Sequence, residues 1–175
     1  MALDPARTAT APHVTRAGSA YRNQSPRYDP RSGEGARLHG GRFNPPGSFS
    51  TLYLCETRPC AVAELTRQGT RHVVGVEGLL PRVLYRYELD LHRVLDLTDE
   101  QTRHHVGLTE DALTGDDWSL CQQLGTEAYA SGDQAIRTFS ATGVDTVLAV
   151  FTELLGASLL DVEQVERWNE LADLT

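Results

Sequence analysis

The chain has 175 residues, 40% of them hydrophobic and 23% charged, with a formal net charge of -8 and a pI near 5.2. Those values suit one folded domain and exclude wholesale disorder, a collagen-like fibre and a coiled coil, and no run approaches the ~18 apolar residues of a membrane span. So acidic a chain is a poor partner for nucleic acid, and all 16 cationic side chains are Arg, so each fixed cation is a planar fork suited to phosphate or carboxylate.

Residues 1–19 are rich in Ala, Thr and Arg without periodicity. They read as a loose N-terminal arm, with the domain proper over 20–175. The start, Met1-Ala2-Leu3-Asp4-Pro5, carries no signal-peptide pattern. A short strand is predicted at 19–22. Residues 23–50 are crowded with turn formers, and a structureless stretch of that length inside a compact domain is usually functional.

Thr51-Leu52-Tyr53-Leu54-Cys55 predicts a strand. Thr57 then caps a helix that tolerates Pro59 in its first turn and ends at Gly69. Two strands are predicted at 83–89 and 94–97, and Thr98 with Gln101 reads as a capping box for a short helix. Residues 117–129 read as a helix stopped by Ser131-Gly132. Strands follow at 135–139 and 144–151, the second almost wholly apolar and therefore central. Val162, Val165, Trp168 and Leu171 recur every three residues and predict an amphipathic closing helix, a candidate dimer contact or a core element. Strands and helices mix without regular alternation, so the expected class is α+β.

Three cysteines, Cys55, Cys60 and Cys121, with no CxxC pair, argue against a disulfide framework or a zinc site and fit reduced thiols in a cytosol. Cys60 is either a thiol activated by a helix start or an apolar filler. His104-His105 beside Asp99 and Glu100 suggests a metal site only weakly, because adjacent histidines on a helix diverge and a polar surface helix explains them as well.

The densest chemical signal is Gly40-Gly41-Arg42-Phe43-Asn44-Pro45-Pro46-Gly47. Two glycines beside an Arg let backbone and guanidinium approach a ligand closely. On the following strand Tyr53 alternates with Leu52 and Leu54, so it faces the other way. Glu64 lies among Ala61, Val62, Ala63 and Leu65, a small apolar surround for a carboxylate. Each has a plainer reading: a loop brace, a half-buried strand aromatic and a solvated helix residue. His39, next to the glycines, is a further candidate contact.

Taken together, Gly-Gly-Arg-Phe-Asn-Pro-Pro-Gly, Thr-Leu-Tyr-Leu-Cys-Glu-Thr and Ala-Val-Ala-Glu-Leu resemble the core of the RES domain family. The likeness extends to Tyr21-Arg22, Leu89-Asp90-Leu91, residues 94–97, Asp117-Trp118, residues 123–129 and Phe139-Ser140-Ala141, where Phe139 stands in place of the family's usual Pro. The resemblance implies an ADP-ribosyltransferase-like fold: a small, split, bent mixed β-core with surrounding helices. It implies the toxin of a bacterial toxin–antitoxin pair that breaks the nicotinamide–ribose bond of NAD⁺, as a glycohydrolase or as a phosphorylase using inorganic phosphate. It also implies a cytoplasmic location and an Xre-type helix-turn-helix antitoxin, through which alone the toxin would reach DNA. Whether the chain also forms a homodimer stays open.

By position in the family, Glu64, Arg42 and Ser140 are the catalytic set, and Arg22, Arg42, Gly41, Tyr53 and Ser140 bind NAD⁺. In that scheme Tyr53 packs on the nicotinamide and Ser140 bonds the ribose or the carboxamide. Two other readings use the same residues: a mono-ADP-ribosyltransferase acting on a macromolecule, and an inactive interaction module.

Overall fold

The computed structural model describes residues 3–156 and 161–175. In chain order they form α1 (Pro5–Ala9), β1 (Val14–Gln24), α2 (Glu34–His39), β2 (Thr51–Cys55), α3 (Arg58–Arg71), β3 (Arg82–Asp96), α4 (Glu100–Val106), α5 (Glu110–Thr114), α6 (Ser119–Ala130), β4 (Ala135–Phe139), β5 (Thr146–Phe151) and β6 (Asp161–Trp168). This is the expected α+β class.

Five strands close on themselves in the order β1-β2-β5-β4-β3, with β3 returning to β1, and β6 joins β3 outside the ring. All pairings are antiparallel except β3–β4, which run parallel over Val94 to Asp96 and Ala135 to Arg137. The closure between β1 and β2 rests on a single register pair, Tyr21 with Cys55. Past Tyr21, β1 continues on β3 alone, while the rest of β2 pairs only with β5. The β-core is therefore split between residues 22–24 and 51–54. Helix α3 packs beside the gap, where Asn23 Nδ2 donates to the Ala61 carbonyl at 3.1 Å.

Alternation along the strands sorts the core. Leu52, Leu54, Leu148, Val150, Leu89 and Leu91 fill one side of the β-core. Phe43, Phe151, Ala149 and Ile136 pack on the other with Leu124 and Ala128 of α6. A third cluster, Cys60, Ala61, Leu65, Leu84 and Trp168, lies under α3. Each of the larger side chains buried here contributes about 1.5–3 kcal/mol of apolar transfer.

Several expected elements differ. Of the arm expected over 1–19, the described residues 3–19 are not loose: Asp4 caps α1, and the buried Thr8 hydroxyl donates to Glu127 at 2.8 Å. The short strand at 19–22 is the middle of β1, whose first half is ordered by pairing with β3, a partner far away in sequence. Within the turn-rich stretch, Glu34–His39 forms a helical turn and a half. The strands expected at 83–89 and 94–97 are one, because β3 keeps β1 as partner throughout while exchanging β6 for β4 on its other edge. Asp99, not Thr98, caps α4, accepting from the Thr102 amide at 2.7 Å. The closing helix is instead β6. Its threefold spacing reflects a bulge that leaves Val165 without a partner opposite it, while Trp168 is buried in the core rather than free for a dimer contact.

Candidate active site

The Arg42 loop is built to be rigid. Gly41 and Asn44 exchange backbone hydrogen bonds at 2.9 and 3.4 Å, closing a tight turn around Arg42 and Phe43. The Phe43 ring is buried beneath it. The Tyr53 hydroxyl accepts from the Phe43 amide at 2.9 Å and donates to Asn44 Oδ1 at 2.7 Å. Asn44, fully buried, donates in turn to the Ala36 carbonyl at 2.7 Å. From α6, Gln122 Nε2 donates to the Gly41 carbonyl at 3.0 Å.

Two glycines make the fit possible. A Cβ on Gly41 would collide with the Tyr53 ring, and one on Gly125 with the Phe43 carbonyl. Burial pushes the Tyr53 phenol far above its ordinary range, so the hydroxyl stays a neutral donor. As expected from alternation, Tyr53 packs on the α6 side, away from Leu52 and Leu54.

Arg42 is held at two points. Nη1 donates to the Gly115 carbonyl at 2.8 Å, and the guanidinium lies 5.4 Å from the centre of the Trp118 ring. Burial lowers its pKa from the ordinary value, but an arginine remains a cation.

Glu64 comes from α3. Thr57 caps that helix by accepting from the Cys60 amide at 3.3 Å, and Cys60, Ala61, Leu65 and Gly69 bury its inner face. Glu64 therefore sits at the edge of the buried stripe, looking into the split of the β-core. Ser140, just after β4, donates to Glu64 Oε1 at 2.7 Å. Thr142 fixes the serine from behind, with its amide donating to Ser140 Oγ at 3.1 Å and the two hydroxyls 2.5 Å apart.

Arg22, Gly41, Arg42, Tyr53 and Glu64 line a single cavity of about 910 Å³, as does His39. Ser140 does not border it. The serine is buried, its hydroxyl committed to Glu64 rather than open to a ribose or carboxamide. Cys60 is fully buried in the cluster under α3, as an apolar filler would be.

The cavity also takes in residues that the sequence did not offer as site candidates: Arg27, Arg67, Arg82, Trp118 and Thr138. Trp118 Nε1, Thr138 Oγ1 and Arg82 Nε are buried there without a hydrogen-bond partner among the described residues. The only sequence signal for Trp118 was its place in the family resemblance. Arg82 gave none, because it starts a strand 18 residues from Glu64 with no motif around it.

Comparison with known proteins identifies the family. A family model described as the RES domain matches residues 13–170. The NAD(+) phosphorylase MbcT of Mycobacterium tuberculosis is 34% identical over 148 residues, 83% of this chain and 80% of that protein. A probable NAD(+) phosphorylase of the same organism is 34% identical over 152 residues, 84% of this chain and 70% of that protein. Among solved structures, the Mycobacterium tuberculosis MbcT–MbcA toxin–antitoxin complex contains a chain that superposes with a TM-score of 0.77 at 30% identity, covering 92% of this chain and 91% of that one. With Arg42, Tyr53 and Glu64 lining one hollow, Ser140 bonded to Glu64 behind it, and the match running through nearly its whole length, the chain belongs to the RES domain family.

Proposed function

We propose that this chain is the toxin of a toxin–antitoxin pair and that it depletes NAD⁺ by phosphorolysis of the nicotinamide–ribose bond. The observation that carries this reading is the meeting of Glu64 and Arg42, from separate segments, in one cavity large enough for a dinucleotide. The relatives named NAD(+) phosphorylase favour phosphate over water as acceptor.

In the proposed reaction the bond from ribose C1 to the pyridinium nitrogen breaks, and its electron pair neutralises the departing ring. A phosphate oxygen bonds the same carbon, giving ADP-ribose phosphate and nicotinamide. Positive charge grows on the ribose as the bond lengthens, as in glycoside cleavage. The Glu64 carboxylate, held by Ser140, is placed to stabilise that charge and to orient a ribose hydroxyl. Nicotinamide leaves without a strong general acid. Arg42 takes the diphosphate, Arg22 lines the same cavity as a further cation for phosphate oxygens, and the Tyr53 ring borders the nicotinamide pocket.

The partner we propose is an Xre-type helix-turn-helix antitoxin that covers the mouth of the cavity and supplies the DNA contact this acidic chain lacks. The site of action is the cytoplasm, in keeping with three free cysteines. Among the described residues, no helix is long and apolar enough to cross a membrane.

The test is product analysis. Purified protein given NAD⁺ with phosphate should release nicotinamide and ADP-ribose phosphate, and Glu64→Gln should lose roughly 10²–10³-fold in rate, the scale for removing one charge-stabilising group. Free ADP-ribose despite saturating phosphate would replace the acceptor with water. Label fixed to a macromolecule would replace it with a transferase, and an inert, folded wild type would overturn the reading.

A further inference from the structure

Most arginines in this chain are neutralised within it. Arg16 and Arg137 hold Glu56, Arg58 holds Glu166, Arg71 holds Asp116, Arg86 holds Glu163 and Arg93 holds Asp133. Arg22 and Arg82 are different. Neither is paired with a carboxylate among the described residues, and both line the cavity.

Their only side-chain partners are neutral. Arg22 Nη1 donates to Gln24 Oε1 at 2.8 Å, and Arg82 Nη2 reaches Gln68 Oε1 at a marginal 3.5 Å. Arg82 Nε is buried with no acceptor among the described residues. The Arg82 guanidinium is also pushed below its ordinary pKa, first by burial and then by the charge of Arg22, so the two cations feel each other. A half-buried cation beside a like charge, with an unpaired donor, is costly unless something anionic completes it.

Position says which anion. Gln68, the contact of Arg82, lies one helical turn after Glu64 on α3, so the two side chains share a face of that helix. Arg42 comes from a different segment, the loop before β2, and is tethered to Gly115. The cavity is thus lined by cations from two separate places, the β1–β3 pair that carries Arg22 and Arg82 and the loop that carries Arg42.

We infer that Arg82 and Arg22 form a second phosphate-binding subsite in this cavity, separate from Arg42. Two guanidinium forks match the oxygens of a phosphate group. That group is either part of the diphosphate of NAD⁺ or the inorganic phosphate acceptor. The assignment of source rests on the function proposed above; the subsite itself does not.

The experiment uses the full chain with Arg82→Gln and the charge-keeping Arg82→Lys, each first compared with wild type by thermal melting. Pyrophosphate and inorganic phosphate are titrated by calorimetry, and KM is measured separately for NAD⁺ and for phosphate. We expect Arg82→Gln to weaken binding of at least one anion tenfold or more, with Arg82→Lys restoring part of it.

A rise confined to KM for NAD⁺ identifies the diphosphate, and a rise confined to KM for phosphate identifies the acceptor. Either supports the subsite. Anion affinities and both KM values within twofold of wild type, in a variant that melts normally, would overturn it. If Arg82→Gln does not fold, Arg22→Gln is read by the same criteria. Should wild type cleave no NAD⁺, the calorimetry alone decides: Arg82-dependent anion binding sustains the subsite although the enzyme reading has failed, and Arg82-independent binding overturns it.

Discussion

The hydroxyl of Ser140 donates a 2.7 Å hydrogen bond to Glu64 Oε1, joining the end of β4 to the middle of α3. The bond fixes one oxygen of a carboxylate whose residue lines the cavity. Ser140 is thus a positioning residue, itself held by Thr142. A hydrogen bond to a charged group is worth about 1.5–3 kcal/mol, so Ser140→Ala should lower kcat roughly 10–100-fold if the whole bond acts in the transition state. KM for NAD⁺ should change little and Ser140→Thr should recover part of the rate, checked by steady-state kinetics. A KM effect larger than the kcat effect would return Ser140 to direct substrate contact.

Tyr53 holds the Arg42 loop with its hydroxyl, so Tyr53→Phe separates ring from tether. The substitution leaves the Phe43 amide and the buried Asn44 side chain each short of a partner. Losing buried partners of this kind costs about 1–3 kcal/mol. Chemical denaturation should show that loss. Activity should fall as well, because Arg42 is positioned by the same turn, although the aromatic surface remains.

Gly125 lies where α6 crosses the loop, and a Cβ there would strike the Phe43 carbonyl. The obstacle is backbone on a tightly bonded turn, so it cannot swing aside. Gly125→Ala should either push the loop outward or destabilise the fold by about 1–3 kcal/mol, the usual range for overpacking. Melting together with NAD⁺ turnover separates the two: a normal melt with lost turnover means a displaced loop. Gly35→Ala in α2 is the melting control for space, since nothing lies within 4 Å of a Cβ there and its φ is not in the left-handed region.

Glu56 supplies the pH dependence. Its side chain is 7% exposed and bonded by Arg16 Nε at 2.6 Å, Arg137 Nε at 2.9 Å and the Thr146 hydroxyl. Burial pushes its pKa up, but the bonds from Thr146, Arg16 and Arg137 outweigh it and hold the carboxyl below its ordinary value. A depressed folded pKa means that the stabilisation is complete above the unfolded value, near 4.3, and is lost as pH falls through the folded one. Glu56→Gln should cost about 3 kcal/mol at pH 7, the low end for breaking a buried ion pair, because both arginines keep some solvent. Below pH 4 the gap between variant and wild type should narrow, as read by urea unfolding across pH.

What the sequence determined by itself was the local part. The strand at Thr51–Cys55, the capped helix carrying Glu64, the helix ended by Ser131 and the apolar central strand β5 were all legible, because caps, glycine stops and alternation act over a few residues. The Arg42, Tyr53 and Glu64 positions stood out through motif and resemblance. Tertiary structure decided the rest. The arm became a helix and a strand, and the threefold tail became β6, because β3 offered both edges to partners far along the chain. Ser140 was visible as a residue, but its burial behind Glu64 was not. Arg82 was not visible at all: its meaning comes from the carboxylate it lacks and the cavity it enters, and neither property belongs to any stretch of neighbouring residues.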